Sequence, residues 1–498
     1  MFSRIAFGSQ IFRSNVFFFK PVKALQKSRT FPAQSVCAIH VDSPPSIPTL
    51  TTSYAHGTSS KSLLCSTVGE TLQAAAERWP DREALVFLQD GVRKTFSQFQ
   101  QDVDQAAAGL LAMGLKRGER LGVWGPNTYE WVLFQYATAK AGIILVSVNP
   151  AYQLKELELA LRKVRCNAVV CPTQFKTQKY CDVLRQICPE IDTATPGSVK
   201  SARLPDLRMV IVTDSRQPGM FHLEDVMQAG SSQHMRQLEE LQKRLSFDDP
   251  VNIQFTSGTT GIPKGATLSH HNIVNNAYFI GMRVGYEWRI AYGTTENSPV
   301  TFCGFPIDNI ERRSETVGCI SHHIEAKVVD PSSGELLPLG VTGELMIRGY
   351  CVMLGYWDDV AKTDECITKE GWYKTGDIAK LDNYGYCRIE GRIKDMIIRG
   401  GENIYPAEIE QFLHTHPKVQ EAQVIGVPDA RMGEEVCACI RLKEGQDCSA
   451  EDIRAYCKGK VMDQNTSFSY QRPPLVKSPK CLVLYGSFQD PTLRDICE

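Results

Sequence analysis

Short apolar strands alternate with amphipathic helices along the chain from about residue 68 onwards. The apolar periodicity predicts, in order, a helix from Thr67 or Val68 to Arg78, a strand Ala84–Leu88, a helix capped by Ser97 and ending at Met113, a strand Arg120–Trp124, a helix Thr128–Lys140, a strand Ile143–Val148, a helix Leu154–Val164 and a strand Ala168–Cys171. This spacing is typical of βαβ units, in which helices cover both faces of a parallel sheet. We therefore expect an α/β fold.

Length, charge and cysteine content narrow the class of protein. The 498 residues suffice for two to three domains, each with its own core. The formal net charge of -1 argues against a nucleic-acid-binding protein, because such proteins carry a basic excess. The longest apolar run, Ala141–Val148, is too short to span a bilayer. The 17 cysteines are scattered and odd in number, and Cys437 and Cys439 lack a partner pair for zinc, so we expect reduced thiols.

The first 41 residues differ in composition from the rest of the chain. They contain no acidic residue before Asp42 and carry six cations: Arg4, Arg13, Lys20, Lys23, Lys27 and Arg29. This pattern predicts a mitochondrial presequence at residues 1–41 and a location in the matrix. The alternatives are a secretory signal or a disordered tail, but Lys20 and Pro21 interrupt the apolar core that a secretory signal needs. Residues 42–60, rich in Pro, Ser and Thr, are expected to form a linker.

The segment Val251–Gly265 carries the most informative local pattern. Alternating apolar residues predict a strand up to Phe255, and a helix is predicted to begin near Ser269. Between them lies a loop of hydroxyl and glycine residues: Thr256, Ser257, Gly258, Thr259, Thr260, Gly261, Ile262, Pro263, Lys264 and Gly265. Glycines allow backbone N–H groups to converge on an anion, and a lysine adds positive charge, so the loop is expected to bind phosphate. The pattern fits neither the P-loop nor the dinucleotide-binding fingerprint, and the alternative is a flexible turn.

Four segments, in order, resemble the signature motifs of the adenylate-forming AMP-binding enzymes, the family of acyl-CoA synthetases, coumarate-CoA ligases and luciferases. They are Thr256–Gly265, Tyr292–Glu296, Tyr373–Asp377 and Gly391–Asp395. The resemblance covers roughly residues 60 to 460. The sequence of Arg399–Pro406, together with the presequence, is most similar to the mitochondrial medium-chain branch of the family. It implies an ATP-dependent ligase that converts a fatty acid, of medium chain length, to an acyl-adenylate and transfers the acyl group to CoA.

The resemblance also implies roles for particular residues. Residues Ser257 to Gly265 would bind ATP, Thr295 would donate to the α-phosphate, and Glu296 would hold Mg²⁺. Asp377 would accept hydrogen bonds from the ribose hydroxyls, and Arg392 would reach the ribose or the phosphate. Taken one at a time, each of these charges would more often belong to a solvated turn or a surface ion pair than to a functional site, and the family spacing reverses this preference for Asp377 and Arg392.

The same resemblance divides the chain into domains. It implies a large AMP-binding domain at residues 61–392, a C-terminal domain at 393–460 with Lys394 at the hinge, and an atypical tail at 461–498. Gly401 would approach CoA, although a Gly-Gly pair is also common in ordinary turns. In the C-terminal domain the pattern predicts a strand Asp395–Arg399, a helix Pro406–His414, strands near Gln423–Val427 and Val436–Leu442, and a helix Ser449–Lys458.

Two departures from the family pattern qualify the expected activity. Only the segment Ala266–Ala291 separates the phosphate loop from the second motif, where the family places a long segment that carries much of the acyl pocket. A helix from Ser269 to Tyr286 would fill most of that interval, so we expect an internal deletion near residues 288–290. The tail has no counterpart of the family's Ser-Gly-Lys segment, because neither Lys477 nor Lys480 has that context. The alternative to a ligase is therefore an impaired variant that retains only nucleotide binding. The sequence leaves the oligomeric state open.

Overall fold

The computed structural model describes residues 43–256, 263–284, 290–399, 402–404, 406–457, 468–470 and 481–486. The chain forms two compact units. Among the described residues, the first unit comprises the residues up to Pro44, His56–Glu325 and Ile347–Tyr373, and the second comprises Pro45–Ala55, Ala326–Met346 and the residues from Lys374 onwards. The expected presequence at residues 1–41 lies outside the described residues. The expected domain boundary between residues 392 and 393 stays a prediction.

The described residues contain the seven helices that the apolar periodicity predicts, with bounds close to the predicted ones, and five further helices that it does not predict. They are α1 (Val68–Arg78), α2 (Phe96–Ala112), α3 (Tyr129–Lys140), α4 (Leu154–Lys163), α5 (Tyr180–Ile187), α6 (Leu223–Ala229), α7 (Ser232–Gln242), α8 (His270–Val284), α9 (Ile310–Glu315), α10 (Val360–Cys366), α11 (Pro406–His414) and α12 (Ala450–Cys457). The described residues also contain three short 3₁₀ turns, Pro189–Asp192, Thr295–Asn297 and Ile393–Asp395.

Strands in the first half of the described chain are β1 (Tyr54–His56), β2 (Glu83–Phe87), β3 (Val92–Thr95), β4 (Arg120–Trp124), β5 (Ile144–Val148), β6 (Ala168–Cys171), β7 (Met209–Val212), β8 (Phe221–His222), β9 (Pro250–Thr256) and β10 (Lys264–Ser269). The later strands are β11 (Ala291–Tyr292), β12 (Phe302–Cys303), β13 (Cys319–Ile320), β14 (Ile324–Val329), β15 (Gly343–Gly349), β16 (Gly355–Tyr356), β17 (Tyr373–Leu381), β18 (Cys387–Arg392), β19 (Ile397–Arg399), β20 (Glu402–Ile404), β21 (Val419–Asp429), β22 (Gly433–Leu442), β23 (Phe468–Tyr470) and β24 (Cys481–Gly486).

An eight-stranded sheet dominates the first unit, in the order β16-β10-β9-β5-β4-β6-β7-β8. The six strands from β9 to β8 run parallel, whereas β10 and β16 extend one edge in antiparallel fashion. Helices separate most of the parallel strands along the chain, as in βαβ crossover units, whereas β7 and β8 follow each other without a helix. The expected α/β fold is confirmed.

Two apolar clusters lie on opposite faces of this sheet. Leu121 and Val123 of β4 pack in one cluster, with residues of α1, α2 and α3. Trp124 at the end of the same strand packs in the other cluster, with residues of α4 and α5. Successive strand residues point to opposite faces, and here both faces are apolar. This two-sided burial explains why these strands read as continuous apolar runs in the sequence.

The expected N-cap of α2 is wrong. The Thr95 hydroxyl, not that of Ser97, accepts the hydrogen bond, from the Gln98 N–H at 3.3 Å. The Gln98 side-chain oxygen in turn accepts from the Thr95 N–H at 3.0 Å, which completes a capping box. Ser97 lies inside the first turn, and its N–H donates to the Pro80 carbonyl.

Lys264 and Gly265 lie in a strand that the sequence pattern does not predict. β10 pairs antiparallel with β9, Lys264 opposite Thr256, and the expected helix follows as α8 from His270. Five of its six residues are buried, from Gly265 to Ser269, so the strand shows no alternation of apolar and polar residues. The phosphate-loop motif therefore connects two paired strands instead of leading directly from a strand into a helix.

The second unit contains most of a five-stranded sheet, β1-β14-β15-β17-β18, and a C-terminal sheet in the order β20-β19-β22-β24-β23, with β21 paired to β22. An apolar core under the C-terminal sheet joins Ile397, Leu413, Val436 and Ile453. The tail contributes to this sheet, because the backbone of β24 pairs antiparallel with β22. Part of the tail is therefore a strand of the C-terminal sheet.

Two further expectations concern cysteines and membranes. None of the cysteines in the described part of the chain forms a disulfide bond, as the scattered distribution predicts. Among the described residues, no helix combines the length and the apolar character needed to cross a bilayer.

His270 gives the first unit a pH-dependent stability. Its ring is buried, and Nδ1 accepts a hydrogen bond from the Val68 N–H at 3.1 Å. Burial lowers the pKa of His270 from its ordinary 6.5 to about 4. Because the unfolded chain takes up the proton first, stability is complete above pH 6.5 and falls toward pH 4, by about 3 kcal/mol in all. We expect urea unfolding to show this slope, and H270Q to flatten it. Equal slopes in both proteins would contradict the assignment.

Candidate functional site

The phosphate-loop motif lies at the carboxyl end of β9, in the parallel part of the large sheet. β9 ends at Thr256, and β10 begins at Lys264. Open α/β sheets bind ligands at the carboxyl ends of their strands, so this position suits a phosphate site. The residues between, Ser257 to Ile262, lie outside the described residues, and their expected contacts with ATP stay predictions. Pro263 is described, and its carbonyl accepts a hydrogen bond from Lys163 Nζ at 3.4 Å.

Tyr356 joins two of the predicted site residues. Lys264 Nζ lies 5.0 Å from the centroid of the Tyr356 ring, and the Tyr356 hydroxyl donates to Glu296 Oε1 at 2.9 Å. Burial, with the Glu296 charge as a second cause, raises the pKa of Tyr356, so the phenol remains a hydrogen-bond donor at neutral pH. The structure thus brings the end of the first motif and the end of the second motif onto one aromatic side chain.

The turn that carries Thr295 and Glu296 is hydrogen-bonded to the segment before Tyr356. The Glu296 carbonyl accepts from the Met353 N–H at 2.9 Å, and the Ser298 hydroxyl donates to the Cys351 carbonyl at 2.7 Å. Thr295 begins the 3₁₀ turn and is half-buried. These bonds fix the turn by its backbone, which leaves the Glu296 carboxylate to be oriented by Tyr356.

Apolar and aromatic surroundings reduce the polarity around Glu296. Tyr356, Tyr373 and Cys366 face this carboxylate, and burial is the main reason that their pKa values are raised, that of Cys366 to about 11. All three therefore stay protonated near neutral pH. A carboxylate in such surroundings interacts strongly with any cation that reaches it.

The chemistry of this donor set fits Mg²⁺. The ion prefers oxygen ligands and is usually held by one or two carboxylates together with substrate phosphates. Glu296 supplies a buried carboxylate, and the side-chain amide of the fully buried Asn297 beside it has no hydrogen-bond partner within the described structure. The described residues contain no cluster of three or more His, Cys, Asp or Glu, so an all-protein metal cage is not formed by them. The residues therefore suit a Mg²⁺ ion that is bound by one protein carboxylate together with phosphate oxygens of the substrate.

Asp377 and Arg392 come together in the second unit. They lie opposite each other on β17 and β18, and Arg392 Nε donates to Asp377 Oδ1 at 2.9 Å. The Asp377 side chain is 5% exposed and that of Arg392 28%. The two residues that the resemblance assigns to the nucleotide ribose thus form one ion pair, with the carboxylate held in a fixed orientation.

The turn before Asp377 is held by the side chain of Glu344. Glu344 Oε1 accepts from the Gly376 N–H at 3.2 Å, and the Thr375 hydroxyl donates to the Leu345 carbonyl at 2.7 Å. Gly376 has φ +69°, a conformation that side chains disfavour. Burial raises the pKa of Glu344, and the negative charge of Asp377 adds to the shift. The motif glycine is therefore required by the turn that presents Asp377.

Of the two residues expected to act as the hinge and in CoA binding, the structure describes only the first. Lys394 is exposed in the 3₁₀ turn Ile393–Asp395, directly after β18. Gly401 lies outside the described residues, between β19 and β20. Sequence reasoning missed Tyr356 and Glu344, because neither stands in a motif and both act across long sequence separations.

Comparison with known families decides the class of the chain. The AMP-binding enzyme family matches residues 72–290 and 285–357, and the family of AMP-binding enzyme C-terminal domains matches residues 408–467. The chain belongs to the AMP-binding enzymes. By family, this AMP-binding enzyme is an acid–thiol ligase of the acyl-CoA synthetase type.

Several relatives share a high identity with this AMP-binding enzyme. It is 57% identical to the mitochondrial medium-chain acyl-CoA ligase ACSF2 of Danio rerio, over 98% of each chain. It is 45% identical to the ligase of the same name from Homo sapiens, over 88% of this chain and 89% of the human one. The alignment with the Danio rerio protein runs over 595 positions, more than the 498 residues present here, so that relative has residues without a counterpart in this chain.

Solved structures support the fold. The ATP-bound structure of MatB from Rhodopseudomonas palustris superposes with a TM-score of 0.66 at 22% identity, over 80% of this chain and 93% of MatB. The anthranilate CoA ligase AuaEII in complex with anthranoyl-AMP superposes with a TM-score of 0.64 at 20% identity, over 79% of this chain and 90% of that one. The α/β architecture with a C-terminal domain is therefore that of adenylate-forming enzymes.

Proposed function

We propose that the chain serves as a mitochondrial matrix ligase that activates a medium-chain fatty acid with ATP and transfers the acyl group to CoA. The observation that carries the proposal is the contact of Lys264 and Glu296 with Tyr356, which joins two nucleotide motifs in one buried cluster. The medium chain length and the mitochondrial location are supported by the names of the relatives at 57% and 45% identity. The basic residues before Asp42 support the location independently.

The chemistry starts from a carboxylate, which is a poor acyl donor. Attack of its oxygen on the α-phosphate of ATP releases pyrophosphate and forms a mixed anhydride, which the CoA thiol then opens with AMP as the leaving group. Such a reaction needs positioning and charge neutralisation more than covalent help from the protein. Residues Ser257 to Gly265 would hold the phosphates, with Lys264 as the cation, and Thr295 would donate to the α-phosphate.

Glu296 would hold Mg²⁺, which neutralises phosphate charge when bound. The Tyr356 hydroxyl donates to one carboxylate oxygen and leaves the other available for the ion. Asp377 would accept from the two ribose hydroxyls, and Arg392, which pairs with Asp377, would keep that carboxylate oriented. In the second step Lys394 would be the hinge and Gly401 would approach the CoA pantetheine.

Nucleotide binding should depend on Lys264. K264A removes a charge-assisted contact with phosphate, so we expect ATP to bind about 1 to 3 kcal/mol more weakly, with calorimetry as the measurement. The matched control is K362A, which removes an exposed lysine that pairs with Glu365 in the same unit. ATP affinity should be unchanged in the control. Equal affinity in K264A and the wild type would contradict a phosphate site at this loop.

Targeting should depend on the first 41 residues. Fused to a fluorescent reporter, they are expected to direct it to mitochondria, because a cationic segment without acidic residues is drawn toward the negative matrix. Microscopy with a matrix marker checks the result. Replacing the six cations by glutamine should leave the reporter in the cytosol. A cytosolic or secreted reporter from the unchanged segment would refute the prediction.

A second candidate is a ligase whose adenylation step is impaired. Its support is the match to the AMP-binding family in two pieces that meet at residues 285–290, together with an alignment longer than this chain. The two-piece match favours an internal deletion at the join near 288–290, where the family carries its acyl pocket, and the longer alignment shows that the relative has residues that this chain lacks. Carboxylate-dependent exchange of pyrophosphate into ATP distinguishes the two candidates, and its expected outcome is argued in the Discussion.

A further inference from the structure

Two cysteines lie directly opposite each other in the small sheet formed by β11, β12 and β13. β12 and β13 pair antiparallel, with Phe302 opposite Ile320 and Cys303 opposite Cys319. Directly opposite residues of an antiparallel pair project from the same face, with Cα atoms about 4.5 to 5.5 Å apart. A disulfide bond spans Cα separations of about 4.4 to 6.8 Å, so the backbone register suits a bond between the two sulfur atoms.

The turn before Cys319 brings the two strands close together at this pair. Gly318 has φ +83°, a conformation that side chains disfavour. A Cβ at Gly318 would lie 2.1 Å from the carbonyl carbon of Cys303 and 2.2 Å from the Gly304 nitrogen, so only glycine allows this approach. The separation of the two cysteines is therefore set by backbone contacts and does not depend on flexible side chains.

A buried cation lies beside Cys319. Arg283 of α8 is 4% exposed, and its Nη1 donates to the carbonyl oxygens of Cys319 at 3.0 Å and Ile320 at 2.8 Å. A neighbouring guanidinium favours the thiolate form of a cysteine, which is the form that reacts with oxidants. Cys303 is fully buried, whereas Cys319 is 7% exposed. A small oxidant is therefore expected to react first with Cys319, with Cys303 placed to react second.

The chain between the two cysteines leaves the sheet and returns to it. It comprises the 15 residues 304–318 and includes α9, in which no residue is buried. A bond between the cysteines would close this segment into a loop and restrict it in the unfolded chain. β12 also pairs with β11, and the second motif lies between those two strands. The bond would thus connect the hairpin that carries the second motif to β13.

We propose that Cys303 and Cys319 form a redox modification site, at which a hydroperoxide converts the two thiols into a disulfide bond. The Cys319 thiolate attacks one oxygen of the hydroperoxide and breaks the O–O bond. The sulfur becomes a sulfenic acid, and the released oxygen takes up the thiol proton and leaves as water or an alcohol. The Cys303 thiolate then attacks the Cys319 sulfur and forms the S–S bond. The expelled hydroxide takes up the second proton and leaves as water, so the thiols lose two electrons and the hydroperoxide gains them.

Tryptic peptides test the bond directly, because trypsin separates the two cysteines. Cys303 lies in the peptide of residues 290–312 and Cys319 in that of residues 314–327, and each peptide contains a single cysteine. The folded full chain is treated with hydrogen peroxide, and its remaining thiols are alkylated before digestion. Mass spectrometry should then find the two peptides joined, and dithiothreitol should separate them. Unlinked peptides, a link from either cysteine to a third one, or Cys319 oxidised to a sulfinic acid without a link would overturn the proposal.

Variants and melting temperatures show whether the link forms within the native sheet. C303S and C319S should each abolish the link, whereas C166A, which removes another buried thiol of the same unit, should leave it unchanged. The linked wild-type chain should melt about 3 to 6 °C higher than the reduced chain, because a closed loop constrains the unfolded state. Peroxide should cause no such rise in C303S. A link that forms only in urea, or that lowers the melting temperature, would show that the native sheet does not present the pair and would overturn the proposal.

Discussion

Carboxylate-dependent exchange of pyrophosphate into ATP is expected to run at least about 10²- to 10³-fold slower in this chain than in the Danio rerio relative. Removal of a single donor from a site that stabilises developing charge typically costs this much in rate. Two such losses are expected here, the acyl-pocket segment at the join near 288–290 and the lysine of the Ser-Gly-Lys segment. Binding of ATP itself should persist, because Lys264, Tyr356 and Glu296 are assembled.

Little chain is available at the join, because only residues 285–289 separate the end of α8 at Val284 from Ile290, and β11 begins at Ala291. Three apolar side chains in the part of the chain after α8 are left in solvent: Ile290 is 43% exposed, Ile307 73% and Ile310 85%. Exposed apolar residues of this kind promote association, so the purified chain should also aggregate more readily than the relative.

A chimaera that carries the missing segment tests whether its loss causes the low exchange rate. Insertion of the Danio rerio segment between Val284 and Ile290 should raise the exchange rate, because it restores the acid-binding wall. A Gly/Ser insertion of the same length is the control and should leave the rate low. Exchange at the rate of the relative by the unmodified, monodisperse chain would show that neither departure matters, and the impaired candidate would then be rejected.

Local sequence patterns were sufficient to predict strands of the parallel sheet and the helices that pack on it. The strand Arg120–Trp124 and the helix Pro406–His414 have the predicted bounds, because their apolar residues follow one clear period. β10 escaped prediction because it is buried on both faces and shows no alternation. The N-cap of α2 was misplaced by two residues, since Thr95 and Ser97 are equally good caps by type and only the backbone conformation decides between them.

The candidate site was predictable only where its residues stand in motifs. Lys264, Glu296, Asp377 and Arg392 could be named from the motifs that resemble those of the family. The structure places the first two against Tyr356 in one unit and pairs the last two in the other. Tyr356 lies 60 residues from Glu296 along the chain, so only folding brings the two together.

G293A should be the most disruptive single substitution in the second motif. Gly293 lies in the loop that closes the β11–β12 hairpin and precedes Thr295 and Glu296. A Cβ at this position would lie 1.7 Å from the Pro299 carbonyl oxygen and 2.8 Å from the Val300 Cα, which are backbone atoms that cannot rotate away. Relief requires the loop itself to open, so we expect the free energy of unfolding to fall by about 3 kcal/mol or more.

G281A provides the matched control for this substitution. Gly281 lies in α8, and a Cβ there would meet no atom within 4 Å. Alanine in a helix is favoured over glycine, so the control should be neutral or more stable by about 0.5 to 1 kcal/mol. Urea unfolding measures both variants, and binding of Mg²⁺-ATP measures the site. Because the loop positions the turn from which Glu296 reaches Tyr356, G293A should lose the Mg²⁺ dependence of ATP binding even where the chain remains folded. Wild-type stability and Mg²⁺ dependence in G293A would show that the close approach of residues 293 and 299 does not shape the site.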